Sequence, residues 1–161
     1  MEISVRGYVD DDIPDMVRIW NAVVDEGMAF PQEDDLSIED ARAFFASQTY
    51  CGVALCDGVV AGLYILHLNN VGRCGHISNA SYAVDRSMTN KGIGFALVTD
   101  SLKAASEHGF RIMQFNAVVQ ENASAIHLYE KVGFKRIGMV PGGFRSKDGE
   151  YRTIILFYHE L

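Results

Sequence analysis

The residues best suited to chemistry lie in two stretches of the second half of the chain. The first is a strand pattern, His76 to Val84, that leads into Thr89-Asn-Lys-Gly-Ile-Gly94 and then a helical pattern. Glycines at such a junction let the backbone approach a ligand, and the first amides of a helix have no partner of their own. Those amides and the helix dipole favour an anion such as pyrophosphate. The stretch predicts a phosphate-binding turn, and a tight turn without a ligand is the alternative.

Two common phosphate loops do not fit this turn. A Walker loop requires Lys-Ser/Thr after its last glycine, whereas Gly94 is followed by Phe95-Ala96. A dinucleotide-binding turn requires a third small residue where Leu97 stands, and an acid roughly 20 residues later, where Phe110 to Phe115 has none. The pattern therefore indicates neither a nucleoside triphosphatase nor a nicotinamide-dependent dehydrogenase.

The second stretch runs from Ile112 to Val119 and from Asn122 to Phe134. Like Asn79 of the first stretch, it has polar side chains in apolar surroundings. Asn79 and Asn116 lie within apolar strand patterns, where a buried amide without a partner is costly. Each must bond neighbouring backbone or face a polar cavity, and we expect the cavity. Asn122 is placed to cap the next helix, and Tyr129 follows on that helix. Its hydroxyl could act as a general acid, or its ring could simply belong to the core together with Ile126.

Composition narrows the class of protein. The chain has 161 residues and a formal charge of −7, which suits one domain (residues 1–161) and argues against nucleic acid. No apolar run approaches the roughly 18 residues of a membrane span, and the N-terminus does not resemble a signal peptide. The three cysteines lack metal spacing, and Cys51 and Cys56 should point to opposite faces of one strand. Free thiols, a cytoplasmic location and no metal are expected.

The elements that must position these residues follow the order β-α-α-β-β-β-α-β-α-β-β. This order predicts an α+β fold in one domain, with a mixed, mostly antiparallel sheet of about seven strands flanked by about four helices. The dipeptide Asp57-Gly58 is a strong hairpin signal. The expected strands are Ile3–Val9, Cys51–Cys56, Val59–Leu68, His76–Val84, Ile112–Val119, Phe134–Val140 and Tyr151–His159. The expected helices end near Glu26, Gln48, His108 and Gly133.

Two motifs together resemble the GCN5-related N-acetyltransferases. They are Val84-Asp followed by Gly92-Ile-Gly94, and Asn122-x-x-Ala125-x-x-Leu-Tyr129-Glu-Lys131-x-Gly-Phe134. The resemblance implies acetyl-CoA as co-substrate and a set of cofactor-binding positions. These are Ala83, Val84, Thr89, Asn90, Lys91, Gly92, Ile93, Gly94, Phe95, Asn122, Ala125, Tyr129 and Lys131. Thr89 stands where the family pattern has Arg or Gln, so binding should persist but be weaker.

Three further stretches resemble the fungal acetyltransferases that act on proline analogues such as azetidine-2-carboxylate. They are Asn21 to Gly27, Ser78 to Tyr82, and Phe115 to Asn122 with Gly133 to Gly138. This resemblance implies that Asn79 and Asn116 lie at the substrate and that Asn122 lies by the cofactor. It also implies a small amine acceptor, with an amino or imino acid as one option.

Transfer of an acetyl group from a thioester to an amine has three requirements. The amine must be neutral, the developing oxyanion must be stabilised, and the departing thiolate must be protonated. The resemblance implies Tyr129 as the acid, and a backbone amide of the strand that ends at Val84 would meet the oxyanion. The expected central strands carry no carboxylate. We therefore expect an ordered water, oriented by asparagines, to take the amine proton; the weaker candidates are Glu26, Glu33, Glu121 and His76.

The sequence also fits other functions. The acidic loop Gln32-Glu-Asp-Asp35 would suit a cationic acceptor, as in a polyamine or antibiotic acetyltransferase. A non-catalytic acyl-CoA sensor on the same fold is the alternative from a different class. The strands Gly62–Leu68 and Ile154–His159 could pair with a second chain, which would make a homodimer, unless helices of the same chain cover them.

Overall fold

A single seven-stranded sheet organises the chain, and the computed structural model describes all 161 residues. The strands are β1 (Ile3–Gly7), β2 (Tyr50–Cys56), β3 (Val59–Leu68), β4 (Ile77–Val84), β5 (Ile112–Val119), β6 (Lys135–Arg145) and β7 (Tyr151–Glu160). The helices are α1 (Ile13–Glu26), α2 (Ile38–Ala46), α3 (Ile93–Glu107) and α4 (Ala123–Val132). The expected order of elements and the fold class are confirmed. None of the four helices has the length and apolar character needed to cross a membrane.

The strands lie in the order β1-β2-β3-β4-β5-β7-β6, and every neighbouring pair except β4 and β5 is antiparallel. The parallel pair is short, because only Ile77 with Ile112 and Ser78 with Met113 are in register. Beyond these residues the two strands separate. β5 stays bonded to β7 and shifts register between Phe115 and Val118, and such a bulge bends a strand.

Helices cover both faces of the sheet. α1 and α2 pack on one face with Trp20 and Phe45 fully buried, and α3 packs on the other face through Leu97. Cys51 belongs to the core under α1 and Cys56 to the core under α3, as their spacing predicts. Two separate apolar layers therefore hold the sheet, and the separated part of β4 and β5 lies between them.

Gly62 allows α3 to lie close to the centre of the sheet. A Cβ atom at this position would stand 2.9 Å from the carbonyl oxygen of Ala83 and 3.0 Å from side-chain carbons of Ile93 and Leu97. Any larger residue would push α3 away. The start of α3, where the glycine turn ends, is therefore positioned against β3 and β4 by direct backbone approach.

Local signals in the sequence are largely confirmed, with one difference at β6. The hairpin dipeptide has φ of 49° at Asp57 and 82° at Gly58, as a type I′ turn requires. β6, by contrast, continues to Arg145 through Pro141-Gly-Gly143, whereas the expected strand ended at Val140. A register shift between Val140 and Phe144 accommodates this segment. An edge strand tolerates proline because one of its two sides needs no ladder bonds.

The two strands expected to offer pairing edges do not do so. β3 is bonded to β2 and β4, and β7 is bonded to β5 and β6. The free edges belong to β1 and β6 instead. The expectation was wrong about the strands because an apolar strand pattern marks a central strand as readily as an exposed edge.

A half-buried ion pair fixes the start of α1. Asp12 is only 6% exposed and accepts hydrogen bonds from the Arg6 guanidinium at 2.7 and 3.1 Å and from the Val9 amide at 2.9 Å. Its carboxylate therefore faces back toward β1 instead of capping the helix. The Arg6 guanidinium holds the pKa of Asp12 below its ordinary value.

We predict that Asp12→Asn lowers the free energy of unfolding by about 1 to 2 kcal/mol at neutral pH, because it removes a charge-assisted bond. The depressed pKa means that the wild-type contribution is present above the ordinary aspartate pKa of about 3.9 and is lost as pH falls through the lower folded value. Urea unfolding at pH 7 and pH 3 should therefore show a large difference between wild type and variant at pH 7 and a small one at pH 3. Asp11→Asn, at an exposed neighbour, is the control; an equal effect of the two substitutions would contradict the prediction.

Candidate functional site

The separation of β4 from β5 leaves backbone groups of β4 without a partner strand. Asp85 donates its amide to Ala61 and Ile77 accepts from Asn69, so the odd-numbered residues of β4 face β3. Because the backbone alternates in an antiparallel pair, the amides of the even-numbered residues face the gap. These include Tyr82 and Val84 beyond the last residues paired with β5. An amide of this kind can stabilise an oxyanion that develops in the gap.

A cavity of about 370 Å³ opens from the gap on the α3 and α4 face. Nine of the thirteen cofactor positions expected from the sequence line it. They are Val84, Thr89, Asn90, Gly92, Ile93, Gly94, Phe95, Ala125 and Tyr129. The structure thus brings the glycine turn and the helix of the second motif to one cavity.

The glycine turn presents a row of free donors to this cavity. The backbone amides from Asn90 to Phe95 donate to no protein acceptor. Asn90 and Gly92 both have positive φ, 61° and 87°, which turns successive amides toward the same side. Thr89 donates its hydroxyl to the carbonyl of Arg86 and remains exposed. The turn has the form of an anion-binding nest at a helix N-terminus.

Ion pairs hold the turn to α1. Asp85 accepts from the Arg18 guanidinium at 2.8 Å and from the backbone amide of Ser87 at 2.9 Å. The Arg18 guanidinium is the main reason why the pKa of Asp85 is lowered. Arg86 pairs with Glu26 at 2.7 Å, near the end of α1. The loop that leads into the anion nest is therefore anchored to the opposite layer of the molecule.

Four expected cofactor residues lie outside the cavity lining. Ala83 is buried in the core under α1, and Lys91 points its ammonium at the sulfur of Met88, 3.8 Å away. Lys131 lies over the ring of Phe95 at 5.3 Å, beside the cavity. Asn122 occupies the N-cap position of α4 but makes no capping bond. Its side chain donates instead to the carbonyl of Met28 at 3.0 Å, so it ties the α1–α2 loop to the start of α4.

Two tyrosines line the cavity, and only Tyr129 has a hydroxyl without a hydrogen-bond partner in the protein. Its ring packs against Phe115 at 4.6 Å and Phe134 at 5.8 Å. Burial raises its pKa, so the hydroxyl is protonated at neutral pH and can donate. The neighbouring hydroxyl of Tyr82, in contrast, is bonded to Ser101 at 2.7 Å. The aromatic packing and a donor role are compatible, because the ring is held and the hydroxyl is not.

On the opposite face of the sheet, the two strand asparagines belong to one amide cluster. The expectation that they face a cavity was wrong: Asn116 is exposed, and Asn79 accepts from the neighbouring backbone amide of Ala80 at 2.8 Å. Asn69 accepts through Oδ1 from Nδ2 of Asn79 at 3.2 Å and from Nδ2 of Asn116 at 2.6 Å. Gln114 donates to Asn116 at 3.0 Å. Asn69 was not expected, because in the sequence it reads as the first residue of a turn. Its place at the end of a strand, in a chain with two other strand asparagines, is the signal that could have identified it.

The proton acceptors considered from the sequence lie elsewhere. Glu26 is paired with Arg86, Glu33 with Arg145, and Glu121 with Arg152 at 3.5 Å. His76 is exposed at the start of β4. None of these side chains lines the Tyr129 cavity.

A larger cavity, of about 620 Å³, lies between the end of α1 and the β6–β7 turn. Phe30, Phe144 and Lys147 are among its walls, and it shares no residue with the Tyr129 cavity. It contains neither the row of free amides nor the free hydroxyl. Size alone would favour it, but the chemistry favours the smaller cavity for a phosphate-bearing cofactor.

Known proteins resemble the chain in sequence and in fold. The N-acetyltransferase aca1 of Schizosaccharomyces pombe is 34% identical over 100 residues, which are 61% of this chain and 48% of that protein. The chain therefore spans about half the length of this curated relative. A GCN5-related N-acetyltransferase from Kribbella flavida superposes with a TM-score of 0.90 at 30% identity, over 99% of this chain and 98% of that one.

A phosphinothricin acetyltransferase from Sinorhizobium meliloti, solved in complex with acetyl-CoA, superposes with a TM-score of 0.91. The identity is 22%, and the match covers all of this chain and 89% of that one. The sequence model of the acetyltransferase (GNAT) family matches residues 15–134, from α1 through the end of the second motif. Both sides of the gap between β4 and β5 fall within that match, and the chain thus belongs to the acetyltransferase (GNAT) family.

Proposed function

We propose that this chain is an N-acetyltransferase that transfers the acetyl group of acetyl-CoA directly to the amine of a small molecule. The observation that carries the proposal is one cavity that combines the free amides of Asn90 to Phe95, the free hydroxyl of Tyr129 and the gap-facing amides of β4. An anion site, an acid and an oxyanion donor are what the transfer requires. The bound acetyl-CoA of the Sinorhizobium meliloti protein, which shares the fold, supports the choice of cofactor.

Each group has a proposed role toward acetyl-CoA, which supplies the reactive thioester. The nest amides, with Thr89 and Lys91 beside them, bind the pyrophosphate. The gap-facing amide of Val84 donates to the thioester carbonyl, and Tyr129 donates a proton to the departing sulfur. Ala125 lines the cavity on the α4 side. Lys131 lies beside the cavity, whereas the side chains of Ala83 and Asn122 contact other parts of the protein and have no proposed contact with the cofactor.

The acceptor side is proposed to be the face with the amide cluster. Asn79 and Asn116 present neutral polar groups beside the gap, and no carboxylate lies among them. An alkyl amine with a pKa of about 10.4 is mostly protonated at neutral pH, so its proton must leave before attack. A water oriented by these amides is the proposed route. Neutral donors suit an amino or imino acid, and phosphinothricin, named for the Sinorhizobium meliloti protein, is an amino acid.

The proposed location remains the cytoplasm. Its support is the state of the cysteines: Cys51 and Cys56 are buried free thiols, and Cys74 is an exposed one. A chain whose cysteines form no disulfide is typical of a reducing compartment.

The first test is release of free CoA thiol from acetyl-CoA over a panel of amines. The panel contains proline analogues, other amino acids, polyamines, aminoglycosides and a lysine peptide, with a control that lacks amine. We expect turnover with amino or imino acids above the control. Turnover with polyamines alone would mean that the acceptor is a polyamine and not an amino or imino acid. Tight acetyl-CoA binding without turnover would favour a non-catalytic sensor.

Tyr129→Phe separates catalysis from binding. The variant keeps the aromatic packing and loses the donor, so kcat should fall about 10- to 100-fold while the Kd for acetyl-CoA changes little. Steady-state kinetics and calorimetric titration measure the two quantities. Tyr151→Phe, at a tyrosine that is 70% exposed on β7, serves as the matched control. Unchanged kcat in Tyr129→Phe would remove the tyrosine from the mechanism.

Gly92→Ala tests the anion nest. The φ of 87° strains any residue with a Cβ atom, so the turn must shift and its amides lose their common direction. We expect about a fivefold or larger rise in the Kd for CoA by calorimetry. Gly58→Ala introduces the same kind of strain, at φ of 82° in the β2–β3 hairpin, and should leave the Kd unchanged. Equal effects of the two variants would mean that strain alone explains the loss.

We further propose a homodimer formed through β6. Its support is a group of exposed apolar side chains on this edge strand: Ile137 and Met139 are each 51% exposed and Val140 is 45% exposed. Sedimentation equilibrium should give twice the mass of 17.8 kDa for wild type and a shift toward monomer for Met139→Glu. A monomeric wild type at micromolar concentration would contradict this proposal without affecting the enzymatic one.

A further inference from the structure

The amide cluster on the acceptor side has Asn69 at its centre. Asn69 follows β3, Asn79 lies on β4 and Asn116 on β5, so this side chain bridges the two strands that separate. Its Oδ1 accepts from both other asparagines, at 3.2 and 2.6 Å. It therefore lies where β4 and β5 begin to separate.

One backbone amide sets the orientation of every amide in the cluster. The amide of Ala80 faces the gap, lacks a partner strand and donates to Oδ1 of Asn79 at 2.8 Å. Since a backbone N–H can only donate, Asn79 must turn its Nδ2 toward Asn69, and Asn69 must present Oδ1. The same oxygen then requires Nδ2 of Asn116, whose own Oδ1 accepts from Gln114. No side chain in this chain of bonds can be flipped alone.

This orientation leaves the amide group of Asn69 as a free donor. Its Nδ2 carries two N–H groups and makes no hydrogen bond in the protein, and it is not among the buried atoms without a partner. It is therefore accessible to solvent. The hydrogen bonds of the cluster join amides only, so no charged side chain of the cluster competes for an incoming group.

A neutral amide that can only donate outward fits a ligand group that can only accept. The carboxylate of an amino or imino acid is such a group, and a charged acceptor strengthens the hydrogen bond. The ammonium of a polyamine would instead meet N–H groups and lack an acceptor at this position. The arrangement therefore distinguishes the two acceptor classes that the sequence leaves open.

We propose that Asn69 determines acceptor specificity: its Oδ1 holds Asn79 and Asn116 in position, and its Nδ2 binds the carboxylate of the acceptor. This proposal rests on the proposed N-acetyltransferase function. It adds Asn69 as a specificity-determining residue and specifies an acceptor that carries a carboxylate.

Two substitutions separate the holding role from the binding role. Asn69→Asp keeps an acceptor for both asparagines but replaces the outward donor with a negative charge. Asn69→Leu has a similar size and removes both functions. Asn70 is exposed and its Oδ1 accepts only from the Val71 amide, so Asn70→Asp and Asn70→Leu are the matched controls.

The acceptors for the test are proline, which has a carboxylate, and prolinamide, which does not. In Asn69→Asp, kcat/KM should fall about tenfold or more for proline and stay within about threefold for prolinamide, because only proline brings its charge beside the new one. In Asn69→Leu, kcat/KM should fall for both acceptors, and the Asn70 variants should resemble wild type. Equal losses with both acceptors in Asn69→Asp, or no loss with proline, would overturn the proposal.

A spectroscopic measurement keeps this test independent of turnover. The side-chain NH₂ signals of Asn69, Asn79 and Asn116 can be followed by ¹⁵N NMR in the presence of CoA. Saturable shifts of the Asn69 signal with proline, and at least about tenfold weaker binding of prolinamide, whose neutral carbonyl is a poorer acceptor than a carboxylate, support the proposal even if no CoA is released, in which case the proposed enzymatic function fails alone. Absence of any shift at saturating proline, in a protein that acetylates amines, overturns the role of Asn69 and leaves the enzymatic function standing.

Discussion

The pairing of β4 with β5 stops after two residues on each strand, and the candidate site depends on this limit. A continued parallel ladder would bond the amides of Tyr82 and Val84 to β5 and close the gap between the two strands. The ladder stops because β5 follows β7, with a bulge after Phe115, while β4 follows β3 as far as Val84. Aromatic rings then occupy the space between the strands, with Tyr82 and Phe115 5.8 Å apart. The same separation thus creates both the donors and the cavity.

The two faces of the opened sheet supply different chemistry. On the α3 and α4 face, the donors are backbone amides of a glycine turn, which require φ values that few side chains permit. On the other face, the polar groups are side-chain amides arranged by a single backbone donor at Ala80. Both arrangements use backbone groups that a regular helix or ladder would have satisfied. The candidate site therefore lies where regular secondary structure ends. The burial of apolar side chains on each face of the sheet offsets the free-energy cost of the backbone groups left without a partner.

The sequence predicts the fold well because each element has a local signal. The period of apolar residues gives the order of strands and helices, and Asp57-Gly58 gives the hairpin. Contacts between residues distant in sequence have no such local signal and could not be predicted. Asn122 has the residue type and position of a cap, but the carbonyl of Met28, 94 residues away in sequence, takes its side chain. Asn69 resembled a turn residue because nothing near it in sequence shows that β4 and β5 converge on it. Likewise, an apolar strand pattern could not distinguish the central β7 from the edge strand β6.

The ion pairs between the glycine turn and α1 have a consequence for how the two proposed ligand sites would communicate. Arg18 of α1 pairs with Asp85 of the loop before the anion nest, and Arg86 of that loop pairs with Glu26 of α1. The loop is thus connected to the helix that packs on the proposed acceptor face. If the proposed cofactor orders the loop when it binds, these pairs would transmit part of that order to α1 and lower the entropy that an acceptor on the opposite face must still lose. The two sites would then show positive binding cooperativity without any contact between their ligands, and the coupling would be equal in both directions. Because these pairs lie at the surface, rising ionic strength would weaken that cooperativity before it weakens the fold.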